Sequence, residues 1–193
     1  MNTLVYGGAF DPPQQAHEQI AAQLGNTFQP KRLVIVPSGS NRFKSFRAAG
    51  EYRLRLADIF VESIRKEFPN AELCDDFLLG RVPETTALSI DGLFRERFGS
   101  SPTQVFGLDT VPNMSSWDPS GRVERELPKV FVTRSGYEPD MSRVANYRLF
   151  RPDLLDDIAV LSSTMVRANI KDRVFAGLNP EIAECIRTNN LYQ

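Results

Sequence analysis

Apolar and polar residues alternate along this chain in two periods, and the points where one gives way to the other mark its elements. Residues 3–6 (TLVY) form a short apolar run that stops at Gly7-Gly8, as a buried strand does. Over residues 13–24 the apolar positions Ala16, Ile20, Ala21 and Leu24 fall on one helical face. Pro13 suits the first turn, and Gly25-Asn26 suits the end. Residues 32–36 (RLVIV) read as a second strand, closed by Pro37-Ser38-Gly39-Ser40. Strand, helix and strand in this order make one βαβ unit.

The same pattern continues. A helix is expected over 50–68, with Leu54, Ala57, Phe60, Val61 and Ile64 on a face, and a third strand over 71–74. Residues 88–98 read as a helix, 104–106 as a fourth strand ending in Gly107-Leu108-Asp109, and 111–117 as a short helix or turn. Residues 118–126 read as a polar loop and 130–133 as a fifth strand. Residues 158–161 (IAVL) are expected to form the sixth. Ser162 and Ser163 would cap a helix over 164–173, and Asn179 would cap a last one with Pro180 at its first position.

Strands that read as continuous apolar runs, alternating with helices, imply an α/β fold. The expected form is a Rossmann-like, mainly parallel sheet with helices on both faces. The length, 193 residues, suits a single domain over 1–193, with the helices from about 163 packing as a small appendage. Ligands in such folds bind beyond the carboxyl ends of the strands. The turns at Gly7-Gly8, Pro37-Ser38, Gly107–Asp109, Arg134–Gly136 and Ser162-Ser163 would converge there.

Composition narrows the function. The net charge of −1 gives no support to a nucleic-acid or membrane partner. Among the cations arginine dominates, and lysine stands only at 31, 44, 66, 129 and 171. Cys74 and Cys185 have neither metal nor redox spacing and read as buried free thiols of a reducing compartment. The N-terminus lacks a secretory pattern, and no apolar run approaches the ~18 residues of a membrane span. A cytoplasmic protein is expected.

The strand–glycine–helix stretch LVYGGAFDPPQQAH contains the chain's one histidine, His17. Glycines let main-chain N–H groups approach a phosphate, and a helix start favours anions. The stretch can equally be a plain tight turn, with His17 structural and Asp11 bracing the turn rather than meeting a metal. Ser162-Ser163-Thr164 with Arg167 one turn on reads as a second phosphate cradle or as an ordinary cap. Trp117 reads as a stacking platform or as a rim residue. The loop 37–50 is long and carries Arg42, Lys44 and Arg47. No nucleophile set, metal cluster or acid/base carboxylate pair stands out. Such a site suits positioning and charge stabilisation in phosphoryl or nucleotidyl transfer.

Taken in order, these segments resemble the nucleotidyltransferase superfamily, and within it the bacterial nicotinate mononucleotide adenylyltransferases. GGAFDPPQQAH is similar to that family's Gly-Gly-(Thr/Ser)-Phe-Asp-Pro-x-His-x-Gly-His. PSGSNRFK, ALSIDGL, FGLDTVPNMSSW, VTRSGY, LSSTMVR and CIRTNNLY resemble its later motifs in sequence. The resemblance implies transfer of the adenylyl group of ATP to a pyridine mononucleotide, nicotinate or nicotinamide, in NAD biosynthesis. Mg²⁺ would be held mainly by the ATP phosphates, with no metal ligand on the protein.

Residue by residue, the resemblance implies that Gly7, Gly8 and Phe10 line the phosphate turn. His17, Gln14, Lys44 and Arg167 would serve catalysis. Gly107, Asp109, Ser162, Ser163 and Thr164 would hold ATP, and Ser89, Trp117 and Arg134 the mononucleotide. The family's first motif histidine is Gln14 here, a neutral donor in place of a chargeable one. Its Thr or Ser is Ala9, its motif glycine is Ala16, and its ring-contacting threonine is Ser89. The exchange at Gln14 leaves a second function open, a nucleotide-binding pseudoenzyme or a re-specialised nucleotidyltransferase. A homo-oligomer also stays open.

Overall fold

The computed structural model describes residues 1–39, 46–133 and 136–193. Its strands are β1 (Thr3–Gly8), β2 (Arg32–Pro37), β3 (Ala71–Leu73), β4 (Thr103–Gly107), β5 (Lys129–Val132) and β6 (Tyr147–Phe150). They form one sheet in the order β3-β2-β1-β4-β5-β6, and every pairing is parallel. The helices are α1 (Gln15–Phe28), α2 (Gly50–Arg65), α3 (Ala87–Phe98), α4 (Arg122–Arg125), α5 (Asp156–Ala159), α6 (Ser163–Lys171) and α7 (Pro180–Thr188), with a 3₁₀ segment at Leu108–Ser116.

Period-two alternation in the strands sorts the helices into two layers. Leu4, Tyr6, Leu33, Ile35, Val105, Val130 and Val132 share a core cluster with residues of α1, α2, α6 and α7. Val5, Val34 and Val36 pack on Ile90 and Phe94 of α3, and Phe131 packs on the 3₁₀ segment and α4. Val166, Ile170, Ile182 and Ile186, from the expected appendage, lie in the same cluster as Leu4 of β1.

Three expectations are corrected. The sixth strand is Tyr147–Phe150, while 158–161 lies partly in the helical turn α5. A four-residue apolar run does not by itself distinguish a strand from a helical turn. Here Asp156 and Asp157 favour a helix start, and only Ile158 of the run is buried. β6 escaped notice because it is an edge strand with Tyr147, Arg148 and Leu149 exposed. Second, α1 begins at Gln15, with Gln14 as its cap, so Pro13 lies outside the helix. It also continues through Gly25 to Phe28, and Gln29 closes it in the left-handed region. Gly25 is a packing glycine, since a Cβ there would lie 2.7 Å from the Phe68 ring. Third, the polar loop 118–126 contains α4, which Asp118 caps by accepting the main-chain N–H groups of Arg122 (2.8 Å) and Val123 (3.1 Å).

Beside β3, Arg97 of α3 donates to Asp76 at 2.6 Å and the Cys74 thiol donates to its other oxygen at 3.2 Å. The Arg97 bond holds the Asp76 carboxyl below the usual carboxylate range, and burial pushes the Cys74 thiol up to about 12. A depressed folded-state pKa stabilises the protein above the unfolded value of ~3.9, and that gain is lost as pH falls through the folded value. Asp76→Asn is therefore expected to flatten the acid limb of stability below pH ~5, read as the urea midpoint against pH.

Candidate active site

The strand order places a switch point between β1 and β4, whose crossovers leave on opposite faces. A cleft of about 1380 Å³ opens at the carboxyl ends of the strands there. Gly7, Gly8, Gly107 and Thr133 reach it from strand ends, and Gln14 and His17 from the start of α1.

The turn after β1 is built around Phe10. Its ring is buried, edge-on to Tyr6 (5.5 Å between centroids) and His17 (5.2 Å), and packed on Phe60 (5.0 Å). Its backbone lies at φ 45°, a region that side-chain-bearing residues seldom occupy. A Cβ at Gly8 would fall 2.8 Å from that ring, so Phe10 dictates the glycine. Gly7 carries no such constraint, because its nearest neighbour would be 3.8 Å away.

The segment that follows is held from outside the cleft. The Asp11 carboxylate accepts the Arg47 main-chain N–H (2.7 Å) and the Tyr192 hydroxyl (2.7 Å), so it braces the turn. Arg167 of α6 donates to the Asp11 carbonyl at 2.8 Å. Arg53 of α2 donates to the carbonyls of Ala9 (2.8 Å) and Ser38 (2.5 Å) while stacking on Phe46 at 3.7 Å. Sequence reading missed Arg53 and Tyr192 as supports. One of three arginines in an amphipathic helix, Arg53 looks in the sequence like any surface cation.

His17 Nδ1 accepts the Gln14 main-chain N–H at 3.2 Å. In the neutral imidazole the proton therefore sits on Nε2, which makes that nitrogen a donor. The Gln14 side chain is 4% exposed and lines the cleft, and its Oε1 has no hydrogen-bond partner among the described residues.

On the other side of the switch point, Asp109 is exposed and lines the cleft. A Cβ at Gly107 would lie 2.3 Å from Asp109 Oδ1, so glycine is what lets that carboxylate fold back. Trp117 is half-buried, with its ring 5.7 Å from that of Phe106, and also lines the cleft. Ser89 does not. Its hydroxyl donates to the Glu84 carbonyl at 2.7 Å and accepts the Thr86 N–H at 2.9 Å at the start of α3. Of the α6 cradle, Ser163 lines the cleft, Ser162 caps the helix through the Met165 N–H, and Thr164 accepts from Arg167 at 3.3 Å. Lys44, Arg42 and Arg134 lie outside the described residues. Gln104 of β4, unremarked in the sequence, lines the cleft as well.

A parallel 3-2-1-4-5-6 sheet with a cleft at its switch point is the arrangement of a Rossmann-like, doubly wound α/β protein. No family model matches the chain. It is 26% identical to a probable nicotinate-nucleotide adenylyltransferase of Acholeplasma laidlawii, over 98% of this chain and 97% of that protein. It is 29% identical to the one of Rubrobacter xylanophilus, over 100% and 92%. The Plasmodium falciparum nicotinic acid mononucleotide adenylyltransferase complexed with NaAD has the same fold, with a TM-score of 0.81 at 22% identity, covering 99% of this chain and 97% of that one. Over nearly its whole length, therefore, the chain is similar to proteins named as probable nicotinate-nucleotide adenylyltransferases.

The two turn glycines are expected to respond differently to substitution. Gly8→Ala forces its methyl into Phe10 and should cost about 1–3 kcal/mol of stability. Gly7→Ala should stay within about 0.5 kcal/mol of the parent. Urea unfolding of the two variants distinguishes them, and equal losses would refute the assignment of Gly8 to Phe10.

Proposed function

We propose that this chain transfers the adenylyl group of ATP to a pyridine mononucleotide, nicotinate or nicotinamide, in NAD biosynthesis. The observation that carries the reading is the turn at Gly8–His17, a main-chain cradle beside a histidine whose neutral form donates from Nε2. It opens into the same cleft as Trp117. The full-length similarity to adenylyltransferases supports it.

In this reading a phosphate oxygen of the mononucleotide attacks the α-phosphorus of ATP. The new P–O bond forms as the bond to the β-phosphate oxygen breaks, and pyrophosphate leaves with that electron pair. The mononucleotide is the nucleophile, so the protein contributes position and charge. His17 and Gln14 donate to ATP phosphates, with Arg167 and Lys44 adding charge. Gly7, Gly8 and Phe10 shape the phosphate turn. Gly107 and Asp109 take a ribose, and Ser163 lines the α6 end of the ATP site, with Ser162 and Thr164 at the same helix start. Trp117 stacks on the pyridine, with Arg134 near the mononucleotide, while Ser89 stays engaged in capping α3.

No group of three or more His, Cys, Asp or Glu side chains among the described residues could hold a metal. In this reading Mg²⁺ arrives on the ATP phosphates, where it would neutralise charge on the departing pyrophosphate. Cys74 and Cys185 are buried and free, which suits the reducing cytoplasm.

With ATP, Mg²⁺ and either mononucleotide, the protein is expected to release pyrophosphate and form a dinucleotide, measured by chromatography. No product with either acceptor from folded protein overturns the reading. His17→Ala should lower kcat by roughly 10²–10³-fold, the scale of losing one donor to a transition-state oxyanion. Gln14→His should raise kcat with little change in KM for ATP, since a charge-assisted donor acts mainly in the transition state.

A further inference from the structure

Trp117 is fixed less by its own contacts than by the residues that follow it. The next residue, Asp118, accepts the main-chain N–H groups of Ser120 (2.9 Å), Arg122 (2.8 Å) and Val123 (3.1 Å), so the start of α4 is locked to the chain beside the indole. From there the Arg122 side chain crosses to α3 and donates to Asp91 Oδ2 at 2.7 Å. Asp91 is 1% exposed and stands one helical turn after Ala87, the first residue of α3. Ala87 and Ile90 line the cleft with Phe106 and Trp117. The α3 start is itself tied to β4, because Gln104 donates to the Ala87 carbonyl at 2.8 Å. Two walls of one ring-sized space, the α3 start and the Trp117 segment, are thus joined by a single buried ion pair.

That pair carries most of the compensation for the Asp91 charge. Asp91 Oδ1 has no hydrogen-bond partner among the described residues, and Arg95, the other cation beside the carboxylate, is 3.8 Å away and mostly exposed. Buried ion pairs are often no more stabilising than an apolar contact of the same size, so stability is a weak reason to bury one. A short, directional bond between two walls of a pocket supplies a better reason, because it sets their spacing. Asp91 also belongs to the ALSIDGL segment, whose serine is engaged in capping α3.

We propose that Asp91 and Arg122 are positioning residues: their bond sets the spacing between α3 and Trp117, and with it the affinity of the cleft for the pyridine ring of the mononucleotide. The proposal rests on the adenylyl-transfer reading, in which Trp117 stacks on that ring, and adds what holds the platform in place.

Trp117 is the chain's one tryptophan, so its fluorescence reports the pocket directly. The parent is compared with Arg122→Met, which breaks the bond and strands the Asp91 charge, and with Asp91→Asn/Arg122→Met, which breaks the bond and strands none. Quenching of Trp117 by nicotinate or nicotinamide mononucleotide, with and without a non-hydrolysable ATP analogue, gives the mononucleotide Kd. Calorimetry gives the Kd of the analogue, and urea unfolding gives stability. In both variants the mononucleotide Kd should rise about tenfold, while that of the analogue stays within about twofold. Acrylamide should quench free Trp117 more readily in both. The double variant should regain urea resistance that Arg122→Met loses, without regaining affinity. Affinity that returns with stability, equal losses for both ligands, or unchanged acrylamide quenching each overturns the proposal. If Arg122→Met does not fold, the double variant decides. If the parent binds neither mononucleotide, the adenylyl-transfer reading fails, and acrylamide quenching of Trp117 decides on the pair.

Discussion

A single buried guanidinium ties the carboxyl ends of β1 and β2 together, and the candidate site depends on it. Arg53 is 4% exposed, and it bonds the carbonyls of Ala9 and Ser38, one from each turn. Burial drives its pKa down, and the nearby Asp11 opposes that shift. A buried cation is tolerable only when acceptors and a counter-charge surround it. The carbonyls of the β1 turn therefore serve as structural acceptors on the α2 side. Asp11 completes the arrangement with the Tyr192 hydroxyl, so the last turn of the chain closes on its first motif.

Such bracing matters because the turn departs from relaxed geometry. Phe10 stands in the left-handed region, and such backbone persists only where its surroundings over-determine it. Those surroundings are Tyr6, His17 and Phe60 around the ring, with Arg53 and Arg167 on the adjoining carbonyls. Two of the buried polar atoms without partners among the described residues, Gln14 Oε1 and Gln104 Oε1, belong to residues that line the cleft. A site held rigid with its polar groups set in advance loses little to reorganisation when a ligand arrives.

Much of this was legible in the sequence, because apolar runs and glycine turns follow directly from sterics and burial. β1 to β5 and the last helix lie where the pattern placed them, within a residue or two. β6 did not, because edge strands need no apolar face and YRLF exposes three of its four residues. The glycines at 7, 8 and 107 were visible, yet their separate reasons were not. Gly8 answers to Phe10, Gly107 to Asp109 and Gly25 to Phe68, and each is a contact between side chains and backbone that no local pattern encodes. Ser89 shows the opposite failure. Its position matched a motif, but its hydroxyl is engaged in capping α3. Arg53 and Gln104 were invisible because burial of a polar side chain is a tertiary property.

The two glycines at the end of β1 also explain how one cleft can take two nucleotides. Side chains alternate across a strand, so residues 7 and 8 face opposite layers. A Cβ at Gly8 would point at Phe10, which packs beside His17 in the α1 and α2 layer. One at Gly7 would point toward Ile90 of α3, on the side where Gln104 and Trp117 line the cleft. The phosphate turn and the ring pocket thus lie on opposite faces of one strand, a single peptide apart. In phosphoryl transfer the entering and leaving oxygens lie roughly in line on either side of phosphorus. Under the proposed function, a cleft that straddles β1 meets that requirement if ATP is held from the α1 face and the mononucleotide approaches from the α3 face. Only Gly7 presents bare backbone with room beside it, because the Phe10 ring fills the space over Gly8, so the two faces of the strand end are shaped by different means.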